Sequence, residues 1–464
     1  MANRNLLGST SSRRATLAQA GNGLLGLALS HLLNQEAFSQ KPAISLPVRA
    51  RNVIYLYMEG GPSQVDTFDY KPRLARDHGK SLPLSTPNTV FNIGNTVMRS
   101  PFRFQQHGNS GAWVSELFPH VAQHVDDITF IHSMHHGVSN HSSACYISHT
   151  GYADAGKPSV GAWISYGLGS LNNNLPSFIV LDCGMGPAGG PPSWGSGFLP
   201  ASYQGTRFRP GDVPIPNITP KEKDPLQQAN KLNAILKLNR ASGDFQLDDR
   251  WSAAVDNYET AWRMQSSVPG LVDLSTETTA TQKLYGLDEP QSQLFGSRCL
   301  LARKLVEKGV RFVEIFPPKV KADRWDQHGN LEEGHRLNAT ATDRGIAGLL
   351  MDLKQRGLLE ETIVMWGGEF GRTPNQQGTN GRDHNPFGFT VWVAGGGFKP
   401  GIQHGATDDF GYFAVHDKVH LHDLHATLLY QLGLHHEDLT YRFSGRDFRL
   451  TDVHGEVTHA ILQA

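Results

Sequence analysis

The 464-residue sequence is short of cysteine, with only Cys145, Cys183 and Cys299. They lie far apart and form no Cys-x-x-Cys spacing, which argues against a disulfide framework and against a thiolate metal cluster. An excess of either charge is missing as well: 42 Lys and Arg stand against 43 Asp and Glu. Without a basic footprint, no nucleic-acid partner is expected. No stretch approaches the roughly eighteen consecutive apolar residues that a stable membrane span needs. Internal repeats and low-complexity tracts are absent too. What is left is enough chain to bury a large core, as one α/β domain with insertions or as two smaller domains. Glycine (49) and proline (26) exceed average use but stay below the level of disorder, which predicts many structured loops. Histidine is abundant. Most of its 22 copies cluster near Gly, Asp and Asn rather than on apolar faces, a distribution that points to metal or acid–base chemistry.

The first 39 residues are set apart from fold reasoning. Ser11-Ser12-Arg13-Arg14 precedes a Gly-interrupted, weakly apolar stretch from Ala15 to Leu33, then Ala37-Phe38-Ser39, similar to a small-x-small cleavage site. A twin arginine before a mild apolar segment reads as a twin-arginine export signal. On that reading residues 1–39 are removed, and the mature chain is mildly acidic and periplasmic or extracellular. Such substrates are exported folded, often with a metal already bound.

Short apolar runs bounded by Gly, Pro or Asp recur at Asn52–Met58, Ile128–Met134, Ser177–Leu181, Arg311–Phe316, Thr362–Gly367 and Phe389–Ala394. Each has strand length and near-continuous apolar character, as buried parallel strands do. Helical periodicity falls between them, at Glu116–Val125, Leu294–Lys308, Leu337–Arg356 and Leu421–Leu432. The alternation predicts an α/β fold: a mostly parallel central sheet with helices on both faces. Residues 40–464 read as one domain. Within it, 183–264 reads as a loop-and-helix cap insertion, opened by the Gly/Pro run from Gly184 to Pro192 and followed by a polar helical stretch, Lys221–Met264.

In open parallel sheets the ligand site lies at the carboxyl ends of the strands. The residues that follow the apolar runs form a coherent polar set. They include Glu59-Gly60-Gly61-Pro62-Ser63 with Asp66, then His135-His136-Gly137 with His141 and Ser142. Later come Trp325-Asp326-Gln327-His328, Gly368-Glu369-Phe370-Gly371-Arg372 and Gly381-Arg382-Asp383-His384. Carboxylates and imidazoles together suit zinc or another borderline divalent ion. Glu369 carries the most weight, because an acid directly after a buried apolar run is costly unless something binds it. Gly60-Gly61-Pro62-Ser63 has a plainer reading as a tight turn, with Ser63 or Asp66 capping the next helix.

Taken in order, four of these motifs make the chain recognisable. Met58–Asp69, Trp325–Gly329, Trp366–Pro374 and Gly381–His384 resemble the twin-arginine-exported, sulfatase-like domain-of-unknown-function family of the alkaline phosphatase superfamily. The resemblance spans essentially the whole mature chain. It implies a metal site of Asp326, His328 and His384, with Asp383 beside it. It also implies a second, poorer site of Glu59 and Glu369, with Asp66 as an alternative, because Phe370 stands where the superfamily keeps an imidazole. Counting back from Thr150-Gly151 to the superfamily's nucleophile position lands on His141, with Ser142 adjacent. For His141 three roles stay open: nucleophile, metal ligand, or base; a helix beginning near Ser142 would offer an anion its free amides. Arg372 or Arg382 would steady the anionic group. The function implied is a secreted hydrolase of sulfate or phosphate esters, dependent on a divalent metal, zinc or calcium. Its substrate would be a sulfated or phosphorylated small molecule or glycan. The alternative is a non-catalytic relative that binds a glycan or an envelope partner protein through the inherited cleft.

Overall fold

The computed structural model describes residues 46–87, 94–211, 214–216, 218, 224–241 and 249–464. The expected export segment, residues 1–39, lies outside the described residues. In chain order the strands of the central sheet are β1 (Asn52–Tyr57), β2 (Ile128–His135), β3 (Phe178–Leu181), β4 (Thr206–Phe208), β5 (Phe312–Ile315), β6 (Thr362–Gly367), β7 (Phe389–Ala394), β8 (Ile402–His404) and β9 (Val419–His420). Their spatial order is β8-β2-β7-β6-β1-β5-β3-β4, with β9 also beside β2. Leu56 of β1 sits between Ile315 of β5 and Trp366 of β6, both parallel to it.

Side chains of β1 alternate between two apolar layers, as strand geometry requires. Ile54 and Leu56 pack with Leu300, Leu305, Leu349 and Leu353 of α5 (Gln293–Glu307) and α6 (Leu331–Gln355). Val53, Tyr55 and Tyr57 face the other layer, built from α1 (His141–Thr150), α2 (Val160–Leu168) and α7 (Leu421–Gln431). Helices thus cover both faces of a mostly parallel sheet, the architecture expected from the alternation.

The structure corrects the reading at several points. β7 runs antiparallel to both β2 and β6, since a buried apolar run carries no mark of direction. Glu116–Val125 is not an α-helix: a short strand ends at Ser115, and a 3-10 helix covers Val121–Asp127. Asp343 of α6 accepts the His120 and Val121 amides at 2.9 and 2.8 Å, which holds the turn after Pro119. Within residues 183–264, which read as loop and helix, β4 adds an edge strand to the central sheet parallel to β3. The polar stretch after it holds two helices, α3 (Pro225–Ala241) and α4 (Asp249–Val272).

Candidate metal centre

Three strand exits and a short ribbon deliver the polar groups to one place. His141 is the first residue of α1, which follows β2 and is capped by Asn140. Asp326 and His328 lie in the loop between β5 and α6, and Glu369 follows β6. His384 pairs with Arg372 in a two-residue antiparallel ribbon. Gly60, at φ +105°, lets these loops close up. A Cβ there would meet the Asp326 and Trp325 amide nitrogens at 2.6 and 2.8 Å.

One ligand atom from each of His141, Asp326, His328 and His384 falls within 4.8 Å of the others. The three imidazoles share a single arrangement. Nδ1 of His141 donates to Glu369 Oε1 at 2.7 Å, that of His328 to Gln377 Oε1 at 2.5 Å, and that of His384 to the Ser139 carbonyl at 2.7 Å. With Nδ1 protonated, Nε2 of each ring turns toward Asp326, at 3.1, 3.0 and 3.3 Å respectively. His141 Nε2 is buried and forms no directed hydrogen bond there. An oxygen acceptor behind each ring, with Nε2 turned to one shared point, is the arrangement of imidazoles that hold a metal. Tested on that donor set, the residues present fit one divalent ion.

The electrostatics follow from crowding. Burial works against a charged Asp326, yet His141, His328, His384 and Arg372 hold it far below the ordinary carboxylate range. Burial pushes His384 down to about 4. It would lower His141 as well, but the carboxylates of Asp326 and Glu369 lift that ring to about 9. Glu369 is lowered despite complete burial, by His141 and by the Gly60 amide, which donates at 2.9 Å. The acid after the apolar run is therefore answered by an imidazole and a backbone amide. Phe370 stacks on His384 at 4.4 Å and lies 5.0 Å from His141, so it buttresses two of the rings.

The other expected residues stand around this cluster, not in it. Glu59 contacts the Arg324 guanidinium and accepts the Ala188 amide at 2.5 Å. Asp66 and Arg382 are wholly buried against each other at 2.6 Å, and Ser63 donates to Asp66 rather than capping a helix. Asp383 Oδ1 accepts the His384 amide and lies 3.9 Å from His328 Nδ1. Arg372 is also wholly buried. It binds Asp326 at 2.6 Å and donates to the carbonyls of Gly60, Gly61 and Arg382. The expectation that Arg372 or Arg382 clamps an anion therefore meets no exposed guanidinium. Two of the α1 amides are not free either: Asn140 Oδ1 accepts from Ser142 and Ser143. Ser142 Oγ points to the Ala188 carbonyl at 3.4 Å.

Sequence reasoning missed Gln377, the Ser139 carbonyl and Arg324. None of the three carries a pattern of its own. Arg324 grips the carbonyls of Met185 and Gly186, so the Gly/Pro loop after β3 is strapped against Glu59 and Ser142.

An α/β protein with a histidine–carboxylate cluster at the carboxyl ends of a mostly parallel sheet is the class that the fold and site define. Residues 50–462 match the family described as "Protein of unknown function (DUF1501)", and the chain belongs to that family. No curated protein matches the sequence. Among solved structures it is similar to the PsFucS1 sulfatase from Pseudoalteromonas sp., at 13% identity and TM-score 0.35, over 88% of this chain and 71% of that one. The alkaline phosphatase from the Antarctic bacterium TAB5 is 12% identical, with TM-score 0.32 over 78% of this chain and 96% of that one. Lipoteichoic acid synthase LtaP from Listeria monocytogenes is 8% identical, with TM-score 0.33 over 85% and 75%. At such scores the likeness does not extend to individual residues. No helix among the described residues is long and apolar enough to cross a membrane.

Proposed function

We propose that the protein is a metal-dependent hydrolase of sulfate or phosphate esters. One observation carries this reading: three imidazoles, each held from behind by an oxygen acceptor, face a single carboxylate at the strand ends. A divalent ion held there would supply a Lewis acid for an ester oxygen. The chain's own residues set the charge and the geometry. One carboxylate and three neutral rings leave a divalent ion net positive, which suits an anionic ester of a small molecule or glycan. Glu369 holds the His141 ring in one tautomer and one orientation. Three nitrogens and one oxygen favour zinc over calcium, which takes six to eight oxygens.

The second reading is a non-catalytic module that binds a glycan or partner protein. The burial of Arg372 and Arg382 favours it, because neither offers a guanidinium to an anion. The two are separated by elemental analysis of protein exported through its own N-terminal segment, followed by a screen of aryl sulfates and aryl phosphates. A bound divalent ion with turnover of one ester class is the expected result. Protein that is stable, metal-free and inert would support the binding module instead.

Residues 1–39 are assigned here to export by the twin-arginine route, with 40–464 as the mature domain. Replacing Arg13 and Arg14 together by Lys is expected to leave folded precursor in the cytoplasm, read by cell fractionation. Unchanged export of that variant would point to another route.

A further inference from the structure

Glu314 breaks the apolar run of β5, Phe312-Val313-Glu314-Ile315, in the middle of the sheet between Tyr55 of β1 and Val180 of β3. Its partner is His149, at 2.6 Å, and both side chains are 1% exposed. The other ring nitrogen of His149 points at the Cys145 carbonyl, also at 2.6 Å. Both nitrogens therefore face oxygen acceptors, and although burial works against charge the Glu314 carboxylate holds the ring above its ordinary value, so the pair is a buried imidazolium–carboxylate. A second polar contact lies one turn closer to the metal centre, where the Tyr57 hydroxyl donates to Cys145 Sγ at 3.1 Å. None of these groups touches the four-residue cluster.

A buried ion pair is poor evidence of stability, since well-packed apolar residues usually do as well; its better-attested use is to specify register. His149 lies on the same helix as His141, eight residues on, so about 12 Å separates them along the axis. A slip of α1 by one residue would move His141 by about 1.5 Å and turn it by about 100°. Apolar contacts between α1 and the sheet tolerate small slips, whereas a charged hydrogen bond to one strand position does not.

We propose that Glu314 and His149 are positioning residues that lock the register of α1 and so aim His141 Nε2 at the metal centre. This rests on the metal reading above. Cobalt(II) is the probe, with affinity from competition against a chelator and coordination from the visible absorption band. The double variant Glu314→Leu/His149→Leu is expected to melt no lower than the wild type in the metal-free state. It should nonetheless bind cobalt(II) about tenfold more weakly, as loss of support behind a ligand does, with an altered visible band. Wild-type affinity and an unchanged band in that variant overturn the proposal. Should it fail to fold, Glu314→Asp keeps the charge but shortens the reach, and is expected to weaken cobalt(II) about tenfold; undiminished affinity there overturns the proposal equally. A wild-type protein that binds no cobalt(II) overturns the metal reading itself, and this one with it.

Discussion

Alanine at His141 is expected to weaken divalent-metal binding by more than about 100-fold, because it removes a ligand where even a partner behind a ligand costs about 10- to 100-fold. Ester hydrolysis should disappear with the metal. Glu369→Gln should fall in the lower range, since the amide oxygen still accepts from Nδ1 while the negative charge behind the ring is lost. Ser142→Ala should keep both metal and most activity, because Ser142 Oγ is turned to the Ala188 carbonyl. Chelator competition and steady-state rates on the same three proteins check the series. If His141→Ala binds metal normally and only Ser142→Ala is inactive, Ser142 is the nucleophile and the role given to His141 fails.

The strands were legible because most buried runs are nearly continuous in apolar character, and Thr362–Gly367 and Phe389–Ala394 have the bounds read from sequence. Direction was not legible. β7 shows why: burial on both faces demands the same residues whichever way the strand runs. In the site, Asp326, His328 and His384 could be picked out by position after strands and by the family resemblance. The groups that orient them could not. A carbonyl at Ser139 and an amide at Gln377 leave no pattern, and the Glu59–Arg324 contact joins loops far apart in sequence. Glu314 is intermediate. A carboxylate inside a buried strand announces that it needs a partner, but only the path of α1 says that the partner is His149.

The largest effect on stability is expected at Asp66, which the sequence offered as an alternative metal ligand. The structure buries it completely against Arg382, with Nε at 2.6 Å and Nη2 at 3.3 Å, while Ser63 Oγ donates at 2.5 Å. Arg382 spends its remaining donors on the carbonyls of Met98, Thr373 and Pro374, so among the described residues Asp66 alone forms an ion pair with it. Asp66→Ala should therefore cost about 3–5 kcal/mol, the range for leaving one charge of a buried pair alone, against about 0.5–3 kcal/mol for most substitutions. Urea unfolding of the metal-free protein measures it. The pH dependence has a definite sign. Burial opposes ionisation of Asp66, but the Arg382 charge and hydrogen bonds outweigh it and hold the carboxyl below its ordinary value. The contribution is then fully present above the unfolded value of about 3.9 and is lost as pH falls through the folded one. Wild type and variant should accordingly converge in stability on the acid side and stay apart at neutral pH. Because Asp66 stands outside the four-residue cluster, folded variant should keep its metal. An Asp66→Ala protein as stable as the wild type but stripped of metal would return Asp66 to the ligand set.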